Sequence, residues 1–174
     1  LLSTHPEARE RLDREHDAVL GGDPPELDDL DDLPYTEKVI KESLRLYPPA
    51  YVLFRQAAAD VAVGGYRIPE GTIVTLPQFR LHVDPRFWDE PDEFRPERWT
   101  DEMEAELPDY AYFPFGGGPR HCIGMRFAMT ELKHLVPTIA QRVDFDLLSD
   151  PEPERQASVT LRPAESVEMR VRKR

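Results

Sequence analysis

The chain has 174 residues, of which 32% are charged, and a formal net charge of −12. That length suits one domain or one piece of a larger one, and so large an acid excess argues against nucleic acid as a partner, because phosphates are held by lysine and arginine. A single cysteine excludes an internal disulfide, so nothing points to an oxidising compartment.

In chain order, residues 5–20 read as a helix. His5 and Pro6 open it, Leu12, Val19 and Leu20 form a weak apolar stripe, and Gly21 and Gly22 end it. Residues 23–33 are acidic and contain proline, which suits a solvated loop with one short turn. Residues 35–46 form a second helix with Val39, Ile40, Leu44 and Leu46 apolar, stopped by Pro48 and Pro49. Short strand signals follow within 51–76, at 51–54, 60–63, 66–68 and 72–76. Gly64 and Gly65, then Pro69, Glu70 and Gly71, supply hairpin turns.

Residues 84–120 show little periodicity and much Pro, Gly and Asp. Their first part, 84–114, reads as a meandering loop, and a loop this long makes sense in a compact domain only if it wraps a cofactor. Residues 115–124 form a glycine-rich loop that carries the only cysteine. The longest helix is expected over 123–142, with Pro137 kinking or weakening it. Residues 144–172 alternate and suggest two or three terminal strands. The fold class is α+β, mainly helical. No run approaches the roughly 18 apolar residues of a membrane span, and no secretory leader is evident, so a cytoplasmic location is expected.

The loop Phe115-Gly-Gly-Gly-Pro-Arg-His-Cys122-Ile-Gly124 concentrates the chemistry. A lone cysteine is usually a small buried hydrophobe. Here an arginine stands two positions before the sulfur and a helix follows it. A thiolate is a strong iron ligand, glycines let backbone approach a flat cofactor, and a helix start directs N–H groups and its positive end at the anion. The segment FGGGPRHCIGMRFAMTE resembles, position by position, the cysteine-ligand loop of the cytochrome P450 superfamily, F-x-x-G-x-R-x-C-x-G. Ala128 and Glu131, common in that family, follow it.

That resemblance implies the C-terminal part of a cytochrome P450 fold, helices and short antiparallel sheets around haem b. It makes Cys122 the iron ligand, and no other catalytic residue is present. Arg55 and Arg120 become propionate partners. Pro114, Phe115, Gly116, Ile123, Gly124 and Ala128 become packing around the sulfur and the ring. Glu42 and Arg45 stand at i, i+3 on one helix face, a spacing that alone means a surface pair worth about 0.2–0.5 kcal/mol. Before Leu46-Tyr47-Pro48-Pro49 it resembles the family's E-x-x-R helix, and Phe94-Arg95-Pro96-Glu97-Arg98-Trp99 resembles the downstream motif that adds Arg98. Their implied role is holding the loop that presents Cys122. His82 and Asp84 resemble an H-x-D-P segment with a structural role. Ala50, Tyr51, Val52 and Val159 are implied substrate contacts.

The activity implied is that of a monooxygenase. One atom of O2 enters a small hydrophobic substrate, with electrons from a ferredoxin or flavin reductase. The central oxygen-activation helix and the N-terminal part of the family pattern are missing. The chain by itself is therefore expected to fold poorly or to hold haem weakly, without turnover. A non-catalytic haem-binding remnant and an interaction domain with a bare cysteine stand as alternatives. The lysines number only four, Lys38, Lys41, Lys133 and Lys173. That acidic, lysine-poor surface resembles proteins of salt-loving archaea, and equally an ordinary acidic protein of a GC-rich genome.

Overall fold

Pro6 and Pro34 each stand at the first position of a helix, where the N–H that proline lacks has no intrahelical partner in any case. In the computed structural model, which describes residues 1–174, they open α1 (Pro6–Leu20) and α2 (Pro34–Leu46). α1 buries Ala8, Leu12, His16 and Leu20, an i, i+4 stripe. Ala8 and Leu12 join Tyr35, Val39 and Leu46 of α2, Phe94 and Ala140 in the main core. Leu20, Leu30 and Leu33 form a smaller cluster. His16 is buried between the two helices. The Thr36 hydroxyl donates to a Glu15 carboxylate oxygen at 2.7 Å, so His16 Nε2–H donates to that hydroxyl at 2.9 Å.

After α2 come β1 (Leu53–Gln56), β2 (Val61–Val63), β3 (Tyr66–Ile68) and β4 (Ile73–Leu76). β1 pairs antiparallel with β4, Leu53 opposite Leu76, and β2 with β3, Val61 opposite Ile68. Gly64 and Gly65 link β2 to β3 with φ of 57° and 84°, the left-handed pair a two-residue hairpin turn requires. A helix absent from the sequence expectation, α3 (Gln78–His82), follows. It is five residues long, too short for a periodic signal.

The stretch 84–120 is less irregular than its composition suggests. It contains a 3-10 turn at Pro96–Arg98, the short helix α4 (Asp101–Glu106) and a 3-10 turn at Gly118–Arg120. Thr100 caps α4 by accepting the Met103 N–H at 3.2 Å.

The longest helix, α5, spans Met125–Ala140, starting two residues later and ending two earlier than expected. Gly124 is its N-cap, so Ile123 and Gly124 belong to the loop. Pro137 does not end it. One turn from the C-terminus, its missing N–H forfeits a single helical bond, and Gln141 N–H still reaches the Pro137 carbonyl at 3.0 Å. The tail holds four strands instead of two or three: β5 (Val143–Leu147), β6 (Arg155–Ala157), β7 (Leu161–Pro163) and β8 (Met169–Lys173). β5 pairs with β8 and β6 with β7, both antiparallel.

Candidate functional site

The site rests on an ion network beneath it. Glu42 and Arg45 in α2 are both fully buried. Glu42 accepts Arg45 Nε–H at 2.9 Å and Nη2–H at 2.8 Å, Arg98 Nε–H at 2.9 Å, the indole N–H of Trp99 at 3.0 Å and the backbone N–H of Arg95 at 3.0 Å. Burial alone would raise the Glu42 carboxyl. The Arg45 bonds and charge, the Arg95 amide and the Arg98 charge overcome it and hold Glu42 below the usual carboxylate range.

The remaining guanidinium N–H groups turn to backbone carbonyls. Arg45 donates to His82 at 2.8 Å, Pro91 at 2.6 Å and Glu93 at 3.0 Å, which satisfies all five of its donors. Arg98 donates to Asp89 at 2.6 Å, Glu90 at 3.0 Å and Glu93 at 3.2 Å. The residues that sequence grouped as Glu42, Arg45 and Arg98 thus meet, and they staple the segment 82–93 to α2. Trp88, Trp99, Tyr112 and His82 pack around them, with Trp99 and Tyr112 rings 4.6 Å apart and Arg45 lying 5.1 Å over Trp88.

Above this base runs the cysteine loop. Gly116 N–H donates to the Phe113 carbonyl at 2.9 Å, and Cys122 N–H to the Phe115 carbonyl at 2.8 Å, closing the loop. Gly116 and Gly118 hold φ of 74° and 66°, a region open to glycine at no steric cost. A Cβ on Gly117 would stand 2.3 Å from the Tyr110 ring, and one on Gly124 would stand 3.8 Å from Cys122 Sγ. The Cys122 thiol is free and exposed.

The sulfur faces an open cavity of ≈ 370 Å³ lined by Leu44, Pro49, Ala50, Leu53, Pro114, Phe115, Gly116, Arg120, Cys122, Ala128 and Leu132. Pro114, Phe115, Gly116, Arg120 and Ala128 of the expected cofactor set therefore lie around one cleft with Cys122, and Ala50 of the expected substrate set joins them. Ile123 is fully exposed and Arg120 is exposed; neither the side chain of Arg120 nor that of Arg126 has a carboxylate partner.

Arg55 is not in the lining. It is exposed and donates to the Phe54 carbonyl at 2.8 Å. It shares a strand face with Leu53, which does line the cleft. Tyr51 donates its hydroxyl to the Ser158 carbonyl at 2.9 Å, beside Val159 in the β6–β7 turn, and Leu161 N–H donates to Pro49 at 2.9 Å. Tyr51 and Val159 thereby approach the same rim. Val159 is 95% exposed and Val52 half-buried.

Beside His82, expected to be structural, two residues the sequence did not single out, Gln78 and Tyr112, carry much of the support. Gln78 and His82 of α3 are fully buried under the cysteine loop. The Tyr112 hydroxyl donates to the Lys41 carbonyl at 3.1 Å, and burial raises its phenol far above the ordinary range. The i, i+4 spacing of Gln78 and His82 was the available signal. Pro77 just before it hides a helix start behind what reads as a loop.

Comparison with known proteins identifies the family. The family model Cytochrome P450 matches residues 1–170. Cytochrome P450 4d2 of Drosophila melanogaster is 44% identical over 177 residues, covering 99% of this chain and 35% of its own length. Cytochrome P450 3A13 of Mus musculus is 44% identical over 142 residues, covering 81% and 28%. Cytochrome P450 3A5 of Homo sapiens is 43% identical over 145 residues, covering 83% and 29%. These relatives are animal proteins and lend no support to an archaeal origin. The chain spans about a third of their length. No helix is long and apolar enough to cross a membrane. With a matching family model over nearly every residue and relatives above 40% identity, the chain belongs to the cytochrome P450 family.

Proposed function

We propose that this chain forms the cysteine-bearing, haem-binding part of a haem-thiolate monooxygenase. Cytochromes P450 bind haem b, and the cleft suits such a group. Its lining is apolar apart from one thiol, Cys122, and one guanidinium, Arg120. A flat apolar macrocycle with an iron centre and carboxylate arms asks for that combination. No three His, Cys, Asp or Glu side chains come together to hold a metal ion, so iron taken by Cys122 would bring its other ligands with it.

In this reading the Cys122 thiolate would be the iron ligand. Arg120 offers its fork to a propionate, and Arg55 can swing to the other from the Leu53 side of β1. Pro114, Phe115 and Gly116 would back the sulfur, while Ile123, Gly124 and Ala128 would meet the ring. When bound, haem would supply dioxygen chemistry, by which one oxygen atom enters an organic substrate and the other leaves as water. Ala50, Tyr51, Val52 and Val159 would shape the rim that receives a small hydrophobic substrate. Glu42, Arg45 and Arg98 hold the base and touch no reactant. Electrons would come from a ferredoxin or flavin reductase docking near the loop. Arg126, exposed and without a carboxylate partner, leaves positive charge there in an otherwise acidic chain, which suits an acidic donor.

The observation that carries this reading is the free Cys122 thiol at an apolar cleft beside Arg120. The test is reconstitution with haem, reduction and addition of carbon monoxide. The chain is expected to give the red-shifted Soret band of thiolate ligation and Cys122→Ser to lack it; identical spectra would overturn the assignment. A second reading, haem binding without turnover by this chain alone, is favoured by the exposure around the cleft. Cys122 and Arg120, which line it, are both exposed, so water reaches the site and proton delivery is uncontrolled. Product formation with a reductase system would overturn that second reading.

A further inference from the structure

The strand of backbone that leads into the cysteine loop is gripped from behind by α3. His82 is fully buried, and its Nε2 accepts the backbone N–H of Phe113 at 3.0 Å. That bond assigns the ring proton to Nδ1. One turn earlier in the same short helix, the buried Gln78 side chain donates its amide to the Ala50 carbonyl and to the Pro114 carbonyl, the latter at 3.4 Å. Two side chains at i, i+4 thus end on adjacent residues, Phe113 and Pro114, and Gln78 also bridges the two walls of the cleft.

From Phe113 the hydrogen bonds continue to the sulfur-bearing residue. The Phe113 carbonyl accepts Gly116 N–H at 2.9 Å, and the Phe115 carbonyl accepts Cys122 N–H at 2.8 Å. Behind, the carbonyl of His82 accepts Arg45 Nη1–H at 2.8 Å, which anchors the clamp in the Glu42 network. The ring also lies 5.2 Å from Tyr112 and 5.7 Å from Phe113, centroid to centroid. An imidazole that merely filled space would need no acceptor aimed at a loop amide.

We propose that His82 is a positioning residue for Cys122. Its Nε2, seconded by Gln78, sets the backbone path at Phe113–Pro114 and through it the geometry of the cysteine loop. The spectral part of the test rests on the haem reading above; the exchange part does not.

The test compares the 174-residue chain with His82→Leu and His82→Gln by amide hydrogen exchange, in sucrose to favour the compact state. Leucine fills space without an acceptor, whereas glutamine carries an oxygen at the reach of Nε2. His82→Leu is expected to exchange the Phe113 and Cys122 amides about tenfold faster, the effect of one lost hydrogen bond. Amides of α1 and α5 should be unmoved, and His82→Gln should restore both loop amides. Unchanged protection of Cys122 in His82→Leu, or equal loss in both variants, would overturn the proposal. With haem and carbon monoxide, the leucine variant is expected to lose the thiolate-type Soret band and the glutamine variant to keep it. A wild-type chain that never shows that band would sink the haem reading, and exchange at Cys122 would then decide the role of His82 by itself.

Discussion

Glu42 accepts hydrogen bonds from two guanidiniums, an indole and a backbone amide inside a shell closed to water. Removing its charge leaves Arg45 and Arg98 facing each other unpaired. Glu42→Gln is therefore expected to cost about 3–5 kcal/mol, the range for breaking a buried pair from one side, read by urea unfolding. Acid reaches the buried histidines before Glu42, His82 and His16 both being lowered by burial. Burial, with the Arg45 charge adding to it, pushes His82 down to about 4 from an ordinary 6.5. The groups facing it are Arg45 from α2 and the Tyr112 phenol, which burial keeps protonated. Between those two values the unfolded chain binds the proton and the folded chain does not. Stability is thus complete above pH 6.5, falls by about 3 kcal/mol on acidification to about pH 4, and levels off for this group below that. Glu42, with its depressed carboxyl, adds its own loss further down as pH falls through its folded value. Urea midpoints across that range check the first window, and His82→Gln should shrink it, leaving the part that His16 contributes, since burial lowers its pKa too.

At the scale of elements, the cleft is assembled by pieces that barely stand alone. All four sheets are two-stranded, and such ribbons are marginal in water without a surface to pack on. The β6–β7 ribbon is held by the Leu161 to Pro49 bond and by Arg155, whose guanidinium lies 4.8 Å over Tyr47 and 5.2 Å over Phe79. Arg155→Ala is expected to loosen the ribbon by about 1 kcal/mol. Faster exchange of the Leu161 amide, with α2 unchanged, is the signature; an unmoved Leu161 amide would assign the docking to other contacts. α5, in contrast, forms by its own pattern and carries a proline one turn from its end.

For the whole molecule, only 26 of 174 residues are buried, which leaves a thin core. One face of α5 shows Phe127 at 73%, Leu135 at 46% and Ile139 at 44% exposure, beside an apolar groove lined by Leu44, Leu132, Val136, Phe145 and Met169. A patch of that kind binds hydrophobic dyes and associates. The chain alone is expected to do both. Replacing the three with Phe127→Ser, Leu135→Gln and Ile139→Gln should reduce dye binding while moving stability by less than about 1 kcal/mol, since exposed side chains contribute little to it. A wild-type chain that sediments as a dye-free, cooperatively melting monomer would contradict this.

Wherever information is local, the amino-acid order was enough. Helix periods and their prolines placed α1, α2 and α5 to within a few residues, the two glycines placed the β2–β3 turn, and fixed spacing around Cys122 singled out the loop. Glu42 and Arg45 were readable as a pair because one turn of helix joins them. The family resemblance brought Arg98 to that pair, but what long-range packing decides was not readable: that the Trp99 indole and the Arg95 amide also close on Glu42, that five residues at 78–82 coil into a helix, and that this helix reaches Phe113. Buried polar atoms take whichever partners the folded chain brings within reach, and those partners come from segments tens of residues apart. The cysteine was visible in sequence; the clamp beneath it exists only once those segments meet.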